Sequence, residues 1–450
     1  MKLEKVILVS PPFSSQLSPT LALARAFRDR GVETTVACGE QFKERILNGG
    51  VGFTPLLVNR NANTGVAQRT RQPKEEQKKL RRFLESTKRG AVETLILQSK
   101  DRKSDMFTDP QRLLEDIEYI NARDKPDLWV ANQLSYALTL VLYCLKLPFV
   151  TLCPPHPLTI PAGEKIYGVP ASWPSEISID SGRLSLLSET ARRVERSFTE
   201  EFNRFIGQRG GDVLPVENAF RLASPLAVLY NYPDLRRGSA GGEAPKHDLQ
   251  GFRFEDAPKH VFMGFCFEEE PLPQRYEELL HSVVGNKPKV LIVMGTFLSY
   301  REDVLQCCVD GVKNRFPDSL VIVGAGASAD YLRKLGYKNV RIEEYVPQKA
   351  LIPYMDVIVH HGGNNSFTES LCYGKPMVIL PFSSDQFDIA ADAEDHGIAE
   401  VADPNRLSPE RFGEILARAV EKGSGNALRR WQKHVRGRGP AYAVGEILSL

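Results

Sequence analysis

Residues 360–376 read HHGGNNSFTESLCYGKP. They follow MDVIV, residues 355–359, an apolar β-branched run expected to be a buried strand. Gly362 and Gly363 let the backbone turn and approach a ligand closely. Asn364, Asn365 and Ser366 then open a run through Phe367, Thr368, Glu369, Ser370 and Leu371 that is expected to be a helix. A helix start leaves backbone N–H groups unpaired, and the peptide dipoles add positive potential there. The stretch therefore predicts an anion site at a strand-to-helix turn, with phosphate the usual anion. His361 at the lip can donate to a phosphate oxygen, and Glu369, one turn in, can accept from sugar hydroxyls. The same residues also fit a plain capped loop without a ligand. A metal pair at His360 and His361 is disfavoured: adjacent strand residues point to opposite faces, and no third ligand is near in sequence.

Outward from this stretch, short apolar β-branched runs alternate with helical patterns. Residues 6–10, 34–37, 127–131 and 149–152 are expected strands, with helices over 19–30 and 136–145. A second series covers 290–294, 320–323, 340–342, 356–359 and 377–380. Uninterrupted apolar strands between helices imply parallel sheets covered on both faces. Residues 232–273 fit neither series and include the Gly-, Pro- and charge-rich RRGSAGGEAPKHD. The expected architecture is α/β, with two doubly wound, Rossmann-like domains: 1–255, a linker at 256–275, and 276–450. Ligands of such sheets bind beyond the carboxyl ends of the strands, so the expected site is the cleft between the domains.

The bulk composition narrows the class. A length of 450 residues favours two or three domains. A net charge of +2 does not call for nucleic acid. MKLEKVILVS, with its apolar run broken by Glu4, is not a signal-peptide pattern, and residues 136–145 are too few to span a bilayer. The seven cysteines include no C-x-x-C pair, which points to a reducing cytoplasm and away from structural zinc.

EEYVPQKALIPYMD (343–356) precedes the opening stretch, and GKPMVILPFSSDQFDIAADAEDHG (374–397) follows its helix. Together these segments resemble the donor-binding signature of the inverting GT-B glycosyltransferases. That family holds the plant and mammalian UDP-sugar transferases and the bacterial natural-product transferases. The resemblance is specific over residues 345–388 and looser over 6–37; 60–125 and 155–250 show none. It implies that Tyr345 stacks on the nucleobase, Val346 meets its edge through the backbone and Gln348 reaches the ribose. It implies that His361 and the N–H groups of Gly363, Asn365 and Ser366 hold the diphosphate, with Gly295 and Thr296 lining the phosphate side. Glu369 would bind the ribose hydroxyls, favouring UDP over dTDP, and Asp385 and Gln386 would bind the donor sugar. Fixed donors aimed at the departing diphosphate stabilise the charge it gains. The implied chemistry needs no metal and no cofactor beyond the nucleotide-sugar co-substrate; the chain contains no D-x-D.

The pattern breaks where the family places its base. A Gly-His-x-x-Pro histidine normally follows the first strand, oriented by an aspartate after a later strand. Here SSQLSP puts Gln16 at the first position and PDLWVANQLSYA puts Asn132 at the second. Neither amide accepts a proton near neutral pH, so the pair is no general base. Three readings follow. His156, in CPPHPLT, is the first domain's candidate base. Alternatively the acceptor is already nucleophilic, a carboxylate or a nitrogen, and Gln16 and Asn132 only position it. Or the protein is a silent nucleotide-sugar-binding partner of another transferase.

Residues 60–103 carry thirteen Lys and Arg against five Asp and Glu. They read either as a solvated helical excursion or as a positive lip for an anionic acceptor. VIVGAGASAD (321–330) contains G-x-G-x-x-A but reads as a strand-to-loop turn. The last segment is expected to cross back onto the first domain. The expected function is transfer of a sugar from a UDP-linked donor to a small acceptor of secondary metabolism. The expected partners are donor and acceptor, with a homodimer an option, and neither nucleic acid nor integral membrane association.

Overall fold

A computed structural model describes residues 3–59, 62–63, 74–107, 109–209, 213–235, 258–281, 287–423 and 425–450. The RRGSAGGEAPKHD segment and residues 64–73 of the basic region lie outside the described residues.

Two parallel sheets organise the chain. The first runs β3-β2-β1-β4-β5-β6-β7, and the second β10-β9-β8-β11-β12-β13. In the first, β1 is Lys5–Val9, β2 Glu33–Cys38, β3 Gly52–Pro55, β4 Leu128–Asn132, β5 Phe149–Cys153, β6 Ala227–Tyr230 and β7 Lys259–Phe262. In the second, β8 is Lys289–Val293, β9 Leu320–Gly324, β10 Val340–Glu343, β11 Val357–His360, β12 Met377–Ile379 and β13 Ala399–Val401. The apolar runs are continuous because both faces of each strand are covered. Along β1, Val6 and Leu8 enter one core cluster while Ile7 and Val9 enter another. Along β8, Leu291 and Val293 face one cluster and Val290 and Ile292 the opposite one. In each sheet the strand order reverses beside the central strand, β1 or β8, the place where such folds bind ligands.

Three expectations need correction. β7 lies inside the stretch read as linker and pairs in parallel with β6; its four residues, KHVF, are too short and too polar to announce a strand. The first helix starts earlier than the expected 19–30: it is Ser14–Arg28 and takes in SSQLSP, with Pro19 inside. The described part of the basic segment is not a solvated excursion. It forms the helices Lys74–Arg89 and Ala91–Met106, which reach across to the second half of the chain. Phe83 packs against the second sheet's core. The Thr87 carbonyl accepts from Asn405 Nδ2 at 2.9 Å. Val92, Leu95 and Ile96 bury Phe387 together with Ile177 and Leu187.

The final helix, Pro440–Leu448, puts Ala443, Val444 and Ile447 into the same cluster as Leu17, Leu21 and Ala24 of the first helix. All seven cysteines are free thiols. Among the described residues no helix is long and apolar enough to cross a membrane.

Candidate active site

A cleft of 1190 Å³ lies between the two sheets, lined from both halves of the chain. On the second half, β11 ends at His360 and the helix Asn364–Cys372 begins after Gly363. Gly363, its N-cap, makes no side-chain cap, and among the described residues no hydrogen bond is made by the N–H groups of Asn364, Asn365 and Ser366, which line the cleft. His361 sits at its mouth, wedged between glycines. A Cβ on Gly295 would lie 2.8 Å from His361 Cε1, and one on Gly363 would collide with Nε2. Gly295 also holds φ +68°, a left-handed conformation that favours glycine. Burial lowers the His361 imidazole to about 4, against the Val293 carbonyl, so it is neutral near pH 7 and donates a single N–H. Among the described residues His361 Nδ1 has no hydrogen-bond partner. His360 turns inward, fully buried, its Nδ1 accepting from the Gly362 N–H at 3.0 Å.

Next to this turn lies a second group of candidates. Tyr345 is 60% exposed at the cleft, an open aromatic face. Val346 is buried and its carbonyl accepts from the Gln348 N–H at 2.8 Å. Gln348 Nε2 donates to Glu369 Oε2 at 2.6 Å and to Ser366 Oγ at 3.1 Å. Burial raises the Glu369 carboxyl to about 7, although Lys349 and Gln348 pull it down. The side chain of Thr296 lies outside the described positions.

The raised Glu369 carboxyl makes a prediction. Between 4.5, its ordinary value, and about 7, the folded protein holds a proton that the unfolded chain has released. Stability therefore falls as pH rises through that window. Glu369→Gln removes this dependence. Urea unfolding at pH 5 and pH 8 should show the variant gaining on the wild type by on the order of 3 kcal/mol at the higher pH. Parallel pH curves for the two proteins would contradict it.

Asp385 and Gln386 reach the cleft but are partly committed. Asp385 Oδ2 accepts from the His156 N–H at 2.9 Å. Gln386 Oε1 accepts from the N–H groups of Phe382 and Ser383, and its Nε2 donates to Ser383 Oγ at 3.2 Å. The Gln386 amide thus holds the loop after β12 instead of presenting both its atoms to a sugar. Gln98, unremarked in the sequence, clamps that loop from the first half, bonding Ser384 Oγ at 3.0 Å and Ser384 N at 3.2 Å.

On the first half, Gln16 and Asn132 meet. Asn132 Nδ2 donates to Gln16 Oε1 at 3.1 Å, and Asn132 Oδ1 accepts from Leu134 N at 3.0 Å. Two residues 116 apart in sequence are paired as the resemblance implies, as amides. Pro19 lacks an N–H to give to the Ser15 carbonyl four residues back. That carbonyl instead accepts from Asn365 Nδ2 at 2.9 Å, tying the first helix to the anion-site turn.

His156 is corrected as a base. Its ring is buried and is not part of the cleft wall. Nδ1 accepts from Leu158 N at 3.2 Å, and Nε2 lies 3.0 Å from Asp392 Oδ2, which also accepts from the Tyr232 hydroxyl. CPPHPLT buries its prolines and its histidine alike, and the Asp392 carboxylate reaches the ring from the helix Gln386–Asp395 of the other half. The signal for this lay 236 residues away in sequence.

Comparison with known proteins follows this geometry. Residues 255–424 match the family described as UDP-glucoronosyl and UDP-glucosyl transferase. The demethyllactenocin mycarosyltransferase of Streptomyces fradiae is 26% identical over 169 residues, 36% of each chain. The UDP-glucosyltransferase YdhE of Bacillus subtilis (strain 168) is 35% identical over 98 residues, 22% of this chain and 24% of its own. The chain thus spans about a third or less of the length of these first curated relatives. The NDP-glycosyltransferase YjiC of Bacillus subtilis (strain 168) aligns over 85% of this chain and 80% of its own, at 22% identity. Among solved structures, the glycotransferase of kitacinnamycin superposes with a TM-score of 0.65 at 18% identity, covering 100% of this chain and 99% of its own. VinC in complex with dTDP gives 0.63 at 18% identity, over 99% and 98%. At these identities the structures establish a shared frame, that of the GT-B glycosyltransferases. By sequence, residues 255–424 match the UDP-glucoronosyl and UDP-glucosyl transferase family, and by fold the chain shares the two-sheet frame of the GT-B glycosyltransferases.

Proposed function

We propose that this protein transfers a sugar from a nucleotide-sugar donor, UDP-linked, to a small-molecule acceptor, with inversion at the anomeric carbon. The observation that carries the reading is the uncapped start of the helix Asn364–Cys372, with neutral His361 wedged at its mouth. Two parts that a nucleoside diphosphate needs lie beside it: the exposed ring of Tyr345 and the buried carboxyl of Glu369. The diphosphate sits on the free N–H groups, the base on Tyr345 and the ribose against Glu369, with the sugar directed toward Asp385. The charge that grows on the leaving diphosphate meets donors already fixed in place. The acceptor lies against the first half of the cleft, beside Gln16, which Asn132 holds in place and which positions it without removing a proton. With unpaired cysteines throughout, the cytoplasm is the fitting compartment.

Thermal stability with UDP, dTDP and their sugars tests this reading. Binding to the folded state alone stabilises by about 2.7 kcal/mol at a hundredfold excess over Kd. The expected result is a rise in Tm with UDP and UDP-sugars that exceeds the rise with dTDP. No rise with any nucleotide overturns the proposal and leaves the turn at 360–366 a structural loop.

A further inference from the structure

Arg102 stands out among the residues that the donor reading leaves unused. It lies on the helix Ala91–Met106 and lines the cleft. Its guanidinium stacks over the Tyr167 ring, 4.3 Å from the centroid. Gly168, at φ +80°, leaves it room; a Cβ there would collide with Arg102 Nη1. Nη1 is buried without a hydrogen-bond partner, and among the described residues no carboxylate forms an ion pair with Arg102. Asp385 is near enough to feel its charge but bonds to His156 instead. A buried guanidinium N–H without a partner is costly, and a planar anion is the partner its fork fits best. The first half's share of the cleft lining mixes Phe13, Leu80, Leu84, Leu97, Leu134 and Leu158 with polar residues such as Gln98 and Asp101.

The reaction needs a nucleophile that the first half cannot activate. Gln16 and Asn132 are amides bonded to each other, and both ring nitrogens of His156 are engaged. An alcohol would arrive with a proton, and the first half's two cleft carboxylates, Glu76 and Asp101, are held in ion pairs by Lys79 and Arg82. An amine would face the Arg102 charge. A carboxylate is ionised already and is attracted by that charge.

We propose that the acceptor is an apolar carboxylic acid whose carboxylate is received by Arg102. This rests on the nucleotide-sugar reading above. One carboxylate oxygen attacks the anomeric carbon, and the new C–O bond forms as the bond to the diphosphate breaks. The electron pair leaves on the nucleoside diphosphate, no proton is transferred, and the product is a sugar ester. Gln16 and Asn132 act as positioning residues.

The test titrates UDP-loaded protein with cinnamate, naphthoate and dodecanoate, each beside its matched alcohol. At least one acid should bind more tightly than its alcohol, and Arg102→Gln should weaken that acid by roughly tenfold to a hundredfold. Arg102→Lys should restore part of the loss, and UDP affinity should stay constant in both variants, which shows that they are folded. With a UDP-sugar present, the product should be cleaved by hydroxylamine, as an ester is. Equal binding of acid and alcohol, unchanged binding in Arg102→Gln, or no binding of any acid overturns the proposal while the donor reading stands. Failure of UDP to bind the wild type overturns both.

Discussion

Replacing His361 with alanine should lower the rate of sugar transfer by about a hundredfold to a thousandfold, the usual loss when one fixed donor to a developing oxyanion is removed. The imidazole is neutral, so its contribution is one directed N–H and not a charge. Its position depends on Gly295 and Gly363, which leave space for the ring alone. UDP release measured at saturating donor isolates the effect on kcat from the effect on donor affinity. The variant also leaves a gap between two glycines, so its urea midpoint should be compared with that of the wild type. A folded His361→Ala that retains the wild-type kcat would remove the imidazole from the chemistry.

The double substitution Gln16→His with Asn132→Asp should have the largest gain. The two side chains are already paired at 3.1 Å, so a histidine oriented by an aspartate would inherit the geometry. Positioned general bases contribute about a hundredfold to ten-thousandfold. Transfer to alcohol acceptors should rise by an amount in that range, with a pH profile that climbs through the histidine's titration near 6.5. Transfer to carboxylates should change little, because no proton has to leave. Either single substitution alone should give much less, since Asn132 orients an imidazole without stabilising its cation. A double variant no better than wild type on every alcohol would show that the first half of the cleft does not place a hydroxyl at the base position.

The strands of both sheet centres were legible because each is covered on two faces, and covered strands are continuous apolar runs. The turn at 360–366 was legible because its glycines, asparagines and serine serve backbone geometry and helix starts, which are local. The edges were not. β3, β6 and β7 are four residues each, and Lys259 and His260 in β7 carry polar side chains that mask the pattern. The long helix Ser181–Arg209 lay in a stretch without resemblance to anything recognised. His156 looked like a cleft residue because it follows a strand end; the Asp392 carboxylate that buries its ring comes from the other half of the chain. The basic segment looked solvated because its charges dominate its composition. Its few apolar residues, Phe83, Val92, Leu95 and Ile96, carry the contact with the second sheet. Arg102 gave no signal at all, since its meaning lies in its place over Tyr167 and in an Nη1 without a hydrogen bond among the described residues.

The central claim is that a nucleoside diphosphate binds at the start of the helix Asn364–Cys372. Hydrogen exchange of the protein with and without UDP tests it most directly. Protection should concentrate in residues 361–369 and 345–348, with a smaller effect at 293–296, while the N–H groups at the helix start change most. Protection confined to other segments, or absent at saturating UDP, would contradict the account.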